Sequence, residues 1–185
     1  MAVSKPIKIF AISGSLRATS LNTALLRAAM QLVAPDIEIT LYGGLGALPH
    51  FNPDLEVEVL SAVTEYRTLL QNSDGILISS PEYAHGIPGV MKNALDWVVG
   101  SGEFVKKPVA ILNGSPRATY AQASLVEILT TMDAHIVEEA SITLPLLGSG
   151  LDQVSIAAHC EFAGALQSAM AAFADEIQKL KAAIL

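Results

Sequence analysis

The sequence predicts a doubly wound α/β domain: a five-stranded parallel sheet in the order 2-1-3-4-5, held between two helical layers as a three-layer sandwich. Three observations carry this. Short apolar runs alternate with amphipathic helical stretches about five times along the chain, the pattern of successive strand–helix units. Two of the strands, at 76–80 and 109–113, carry continuous apolar runs (Ile76-Leu77-Ile78 and Val109-Ala110-Ile111-Leu112), as central strands covered on both faces do. A third alternates Ile37, Ile39 and Leu41 with Glu38, Thr40 and Tyr42, so it exposes one face and belongs at a sheet edge.

Each element follows from its own residues. Ile7, Ile9, Phe10 and Ile12 make a short buried first strand, and Leu21, Leu25, Ala28 and Leu32 set a helical period after it. The edge strand comes next, then a helix whose apolar face is Val59, Val63, Tyr66 and Leu70. The third strand leads to a helix containing Lys92-Asn93-Ala94-Leu95-Asp96-Trp97. Lys106 and Lys107 precede the fourth strand and read as solvated charges at its amino end. The fifth strand falls within His135–Leu144, where Glu138 and Glu139 interrupt it. A long last helix buries Phe162, Leu166, Ala169, Phe173, Ile177, Leu180 and Ile184.

Composition bounds the function. With 185 residues, 51% hydrophobic and 16% charged, the chain is expected to form one domain, residues 1–185, with a sizeable core. No apolar run reaches the length of a membrane span, and Met1–Phe10 lacks the pattern of a secretory signal, so a soluble cytoplasmic protein is expected. A single cysteine, Cys160, excludes a disulfide framework or thiolate metal cluster and reads as a small buried helix residue. The net charge of −7 argues against a nucleic-acid surface, and any anionic ligand must be drawn in by local groups.

The polar loops after the strands carry the chemistry. In Ser13–Thr23, glycine, hydroxyls, Arg17 and Asn22 stand between a buried strand and a helix N-terminus, which suits an anion; the plainer reading is that Ser20 caps a helix and Gly14 serves a turn. The Gly-Lys of a nucleoside-triphosphate loop is absent, and Leu16 and Thr19 replace the later glycines of a dinucleotide loop. A hydroxyl-rich loop without those features suits a terminal monophosphate such as that of FMN. After the third strand, Pro81-Glu82-Tyr83-Ala84-His85-Gly86-Ile87-Pro88-Gly89 is a sharp loop that lets backbone approach a flat ring. Against that, Tyr83 can seal the core, His85 can be merely solvated and Pro88 can simply start a helix. Asn113-Gly114-Ser115-Pro116-Arg117 forms a third loop on the same rim. His50-Phe51 offers either a roof over the site or an ordinary surface loop.

The run Gly14-Ser15-Leu16-Arg17-x-x-Ser20-x-Asn22, followed by Pro81-Glu82-Tyr83 and Gly86-Ile87-Pro88-Gly89-x-x-Lys92-Asn93-Ala94-Leu95-Asp96-Trp97, resembles the NADPH-dependent FMN reductase family over nearly the whole chain. The resemblance implies a flavodoxin-like fold, non-covalent FMN, and hydride transfer from NADPH or NADH to a small acceptor such as a quinone, flavin, chromate or azo compound. It places Ser15, Arg17, Ser20, Asn22 and Thr23 in the phosphate loop and Pro81, Glu82, Tyr83, His85 and Gly86 in the isoalloxazine loop, with Ser115 and Arg117 as further cofactor contacts. No side chain is assigned as catalytic and no metal is expected. A homodimer or homotetramer is implied, with the Trp97 helix near the subunit contact. Two departures stand out: Ala84 replaces the family's usual asparagine, and Arg117–Gln122 replaces its glycine pair. A response regulator is excluded by the missing acidic cluster, and a low-molecular-weight phosphatase by the lack of a loop cysteine. The remaining rival is a flavin carrier without turnover, or a member with weakened FMN binding.

Overall fold

The computed structural model describes residues 5–56 and 59–184. The first four residues of the expected signal-free amino terminus, and the Ile184 side chain, lie outside what it describes. The elements run β1 (Ile7–Ser13), α1 (Leu21–Leu32), β2 (Ile37–Leu41), α2 (Ser61–Gln71), β3 (Gly75–Ser79), α3 (Gly89–Asp96), β4 (Pro108–Asn113), α4 (Thr119–Thr131), β5 (His135–Ile136), β6 (Ile142–Thr143), α5 (Gln153–Ala158) and α6 (Cys160–Ile184). The strands are parallel in the order β2-β1-β3-β4-β5, with β6 also on β4. The expected order and doubly wound architecture are therefore present, and the winding reverses between β1 and β3.

The central strands carry continuous apolar runs because alternate residues feed two separate cores. Ile9, Ala11, Leu77, Ala110 and Leu112 face α1, α5 and α6, whereas Phe10, Ile12, Ile76, Ile78, Val109 and Ile111 face α2, α3 and α4. Ile37 is buried but Glu38 and Thr40 are not, as an edge strand requires; Tyr42, expected on the exposed face, lies just past the strand and is buried against Phe10 and Tyr66.

The fifth strand is broken in two. A 3-10 turn at Glu138–Ala140 separates β5 from β6, so the acidic pair interrupts the strand as expected. The ladder group orphaned opposite this turn, the Ile111 N–H, donates to Ser141 Oγ at 3.1 Å.

Four expectations for individual side chains are corrected. Val59 precedes α2 and is 89% exposed, so only Val63, Tyr66 and Leu70 form that helix's buried face. Leu180 is half-buried where α6 runs past the end of the sheet. Cys160 is exposed, because it is the first residue of α6 rather than part of its inward face. Lys106 is a surface charge paired with Asp133 at 2.8 Å, but Lys107 is half-buried. The Lys107 ammonium donates to the Leu70 carbonyl, and burial holds its pKa below the ordinary lysine value. No helix among the described residues is long and apolar enough to cross a membrane.

Candidate active site

The polar loops expected at the rim meet at the carboxyl ends of β1, β3 and β4. Ser13, the last residue of β1, is buried, and its hydroxyl shares a 2.8 Å hydrogen bond with that of Thr23. Fully buried Ser79, at the end of β3, donates to Asn22 Oδ1 at 3.0 Å. Gly14 N–H donates to the Ser79 carbonyl at 2.8 Å, and a Cβ at Gly14 would lie 2.2 Å from Ser80 Oγ, so only glycine lets the two strand ends come this close. The first turn of α1 is thus fastened to the sheet through two hydroxyl contacts.

That fastening leaves donors free. Ser20 caps α1, its Oγ accepting from Thr23 N–H at 3.3 Å, while the Leu21 and Asn22 N–H groups have no acceptor among the described residues. Arg17 stands exposed on the same loop and pairs with no carboxylate among the described residues.

The loop after β3 is built differently. Tyr83 and Gly86 exchange both backbone hydrogen bonds, at 3.0 and 3.1 Å, around a two-residue turn. Its central residues, Ala84 and His85, have φ of 50° and 58°, left-handed values that side chains other than asparagine and aspartate adopt at a cost. Glu82 reaches across the rim, its Oε2 accepting from Ala121 N–H at 2.8 Å. Ala118, the residue before α4, has no capping side chain, so Glu82 supplies the missing cap from 39 residues away. The His85 ring stacks on Tyr120 in the first turn of α4, with centroids 4.3 Å apart and planes 11° from parallel.

The loop after β4 folds on itself. Asn113 Oδ1 accepts from Ser115 N–H at 3.0 Å and Ser115 Oγ from Arg117 N–H at 3.2 Å. Between the loops lies an open cavity of about 330 Å³ at the point where the winding reverses, the ligand position of this architecture.

A family model for NADPH-dependent FMN reductase matches residues 7–146, from β1 through β6. The chain belongs to that family. An NAD(P)H-dependent FMN reductase of Pseudomonas aeruginosa is 33% identical over 156 residues, which cover 81% of this chain and 84% of the relative. An NADPH:quinone oxidoreductase of Arabidopsis thaliana is 36% identical over 151 residues, covering 77% and 76%. Among solved structures, the flavoenzyme NAD(P)H:(acceptor) oxidoreductase of Paracoccus denitrificans superposes with a TM-score of 0.80 at 29% identity, covering 94% of this chain and 98% of that one. The protein is accordingly an NAD(P)H-dependent flavin oxidoreductase.

Within this FMN reductase the cavity gathers Ser15, Arg17, Ser20, Asn22, Pro81, Glu82, Tyr83, Ser115 and Arg117 of the residues singled out by sequence. It does not gather Thr23, His85 or Gly86. The Thr23 hydroxyl is taken by buried Ser13, which needs a partner, and the residue lines an adjoining cavity instead. Gly86 closes the Tyr83 turn, and His85 faces Tyr120. Glu82 lines the cavity, yet one of its carboxylate oxygens is occupied by the α4 cap. Neither His50 nor Phe51 lines the cavity. Phe51 packs edge-on against Trp97 at 5.1 Å, and Asn93 holds the loop by accepting from Phe51 N–H at 2.7 Å and donating to the Pro49 carbonyl at 2.9 Å.

Leu21, Ser80, Asn113, Gly114, Ala118 and Leu147 complete the lining. Leu147 is the one with no signal in the motifs. It arrives because the chain beyond β6 keeps following β4, with Leu144 N–H on the Asn113 carbonyl at 2.8 Å and Leu146 N–H on the Gly114 carbonyl at 3.2 Å. The rule that ligands bind beyond strand carboxyl ends, applied to the broken fifth strand, finds it.

Proposed function

We propose that this chain, acting as a single FMN-binding domain over residues 1–185, passes hydride from NADPH or NADH through bound FMN to a small acceptor in ping-pong order. The quinone, flavin, chromate and azo compounds implied by the family resemblance are the acceptor class. Support comes above all from one observation: in a chain of net charge −7, two free helix N–H groups, several hydroxyls and two arginines converge on one cavity at the winding reversal.

The residues present fit FMN. Leu21 and Asn22 N–H, the hydroxyls of Ser15 and Ser20, the Asn22 side-chain amide and the Arg17 guanidinium form a donor set for a phosphate dianion. Pro81, Tyr83, Ala118 and Leu147 give the flatter, less polar walls a ring needs, with Ser115 at its edge. FMN supplies the hydride-accepting and hydride-donating chemistry when bound. The protein binds and orients: α1 fixes the phosphate end, the 81–86 loop presents backbone groups to the ring, and Glu82 holds α4 against that loop. Backbone N–H groups aimed at a ring edge stabilise negative charge there in the manner of an oxyanion hole. Donor and acceptor use the same open face in succession, which makes the turnover ping-pong. The setting is cytoplasmic and the assembly a homodimer or homotetramer, with the α3 segment near the subunit contact.

The test is an absorption spectrum with FMN, followed by anaerobic NADPH. Bands near ~450 nm that bleach are expected of a flavin reductase. Because Arg117 and Ala118 line the cavity where the family's glycine pair stands, a carrier or a weakened binder is the second reading. Bands that persist with NADPH, or the absence of bound flavin at micromolar concentration, select it over the enzyme.

A further inference from the structure

Two polar side chains on the cavity wall, Ser80 and Asn113, are used by neither its phosphate end nor its ring end. β3 and β4 pair through Ile78 and Ile111, and two residues further on Ser80 and Asn113 stand side by side at the carboxyl edge of the sheet. Asn113 is only 6% exposed. Its main-chain carbonyl accepts from Leu144 N–H at 2.8 Å, and its Oδ1 accepts from Ser115 N–H at 3.0 Å. Because a backbone N–H can only donate, the side-chain amide is fixed with its oxygen towards Ser115 and its nitrogen turned away. That nitrogen has no acceptor among the described residues. It is not sealed in the core as the unpartnered Tyr66 hydroxyl is, so it opens on the cavity that Asn113 lines. A donor left unpaired at such depth is costly, and an acceptor on a ligand removes the cost.

Its place in the cavity says which part of a ligand it meets. On one side Gly114 backs on the first turn of α1, where a Cβ would lie 3.4 Å from Leu21. On the other, Ser115 and Ala118 belong to the walls proposed for the ring. Asn113 therefore stands between the proposed phosphate end and the proposed ring end. On the neighbouring strand, the Ser80 hydroxyl makes only a marginal 3.4 Å contact with the carbonyl of Pro81 and is free to turn. One fixed donor and one rotating hydroxyl, midway between an anion site and a flat wall, suit a chain of alcohols, because each hydroxyl of such a chain both donates and accepts.

We propose that Asn113 Nδ2 and the Ser80 hydroxyl hold the ribityl chain of the flavin, and that the protein selects its flavin by this polyol arm as well as by the phosphate. This rests on the reading that FMN occupies the cavity. The arm is the one part of FMN that is neither charged nor flat, and these two side chains are the polar groups on the strand ends that the capping and loop hydrogen bonds leave available.

Flavin fluorescence titrations compare FMN, riboflavin, which lacks the phosphate, and lumiflavin, which lacks the arm, on the wild-type chain, Ser80→Ala, Asn113→Ala and Asn113→Asp. Neither NAD(P)H nor an electron acceptor is added, so the readout is independent of turnover. Riboflavin is expected to bind the wild-type chain about tenfold or more tighter than lumiflavin. Each alanine variant is expected to cut that ratio about three- to tenfold and to leave the ratio of FMN to riboflavin as it was. Asn113→Asp keeps the acceptor for Ser115 N–H, and a polyol hydroxyl donates to a carboxylate as readily as it accepts from an amide, so most of the ratio is expected to remain. A riboflavin-to-lumiflavin ratio unchanged in either alanine variant overturns the proposal, since a side chain that only shapes the loop weakens all three flavins alike. So does a changed ratio of FMN to riboflavin, which puts the contact on the phosphate, or a loss in Asn113→Asp shared equally by lumiflavin, which puts it on a ring carbonyl. A wild-type chain that binds no flavin removes the flavin reading and this one together; flavin binding without these ratio changes removes this one alone.

Discussion

The two ends of the first cavity are held by different physics. At the α1 end, buried hydroxyls do the work: Ser13 to Thr23 and Ser79 to Asn22, all within or beside regular elements and with no left-handed residue in the loop. At the β3 end, the loop has two non-glycine residues at positive φ and is braced from outside by Glu82 on Ala121 and by Tyr120 on His85. The first end is set by the sheet, so its geometry survives changes elsewhere. The second depends on a helix 39 residues away, and that makes it the adjustable end.

The largest effect is expected where that dependence is cut. Glu82→Ala leaves the first turn of α4 uncapped and frees the 81–86 loop from it. Loss of one charge-assisted hydrogen bond at a half-buried site costs about 1–3 kcal/mol. Denaturant midpoints should fall accordingly, and FMN affinity should fall with them because the ring walls separate. A variant that loses stability but keeps FMN affinity would show that the two ends are independent.

Next comes the corresponding cut at the α1 end. Ser20→Ala removes the cap of α1, worth about 1 kcal/mol, and takes one hydroxyl from the proposed phosphate site. Here stability and FMN affinity should both drop, while kcat for the flavin that remains bound should be nearly unchanged, since the ring end is untouched. A fall in kcat under saturating FMN would contradict the division of roles.

This contrast also explains what was legible in the sequence. The sheet order and both cores followed from which strands were continuously apolar and which alternated, because burial on one face or two is written into each strand's own residues. That the loop after β1 reaches the cavity was legible for the same reason: Ser13 through Thr23 is one contiguous stretch between a strand and a helix. That the Thr23 hydroxyl bonds to buried Ser13, and that Thr23 lines the adjoining cavity, is not visible in the sequence. Glu82 as the cap of α4, the His85–Tyr120 stack and Leu147 on the rim all join residues far apart in sequence. Pattern and spacing carry no information about such pairs until the topology is known. Cys160 and Lys107 went astray at element ends, where one residue's shift turns a side chain in or out.

The strain at the β3 end can be relieved rather than cut. Ala84 sits at φ 50°, a region asparagine visits at lower cost than alanine. Ala84→Asn is expected to stabilise the protein by about 0.5–1 kcal/mol, read as a higher melting temperature. An unchanged or lower value would mean that the neighbouring turn hydrogen bonds already compensate for the backbone.

The smallest expected change in stability, and the most informative for specificity, is at Tyr120. Tyr120 is 58% exposed, so losing the stack on His85 costs only about 0.5 kcal/mol. Yet the stack ties the first turn of α4 to the loop proposed to present its backbone to the ring. Tyr120→Gly removes the tie while Glu82 keeps the helix capped. Bulky acceptors such as substituted quinones should then gain access and lower their KM about two- to fivefold, an amount in keeping with the loss of one weak contact. The kcat for a small acceptor should hold. If KM falls equally for large and small acceptors, the stack governs loop mobility in general and not the width of the entrance.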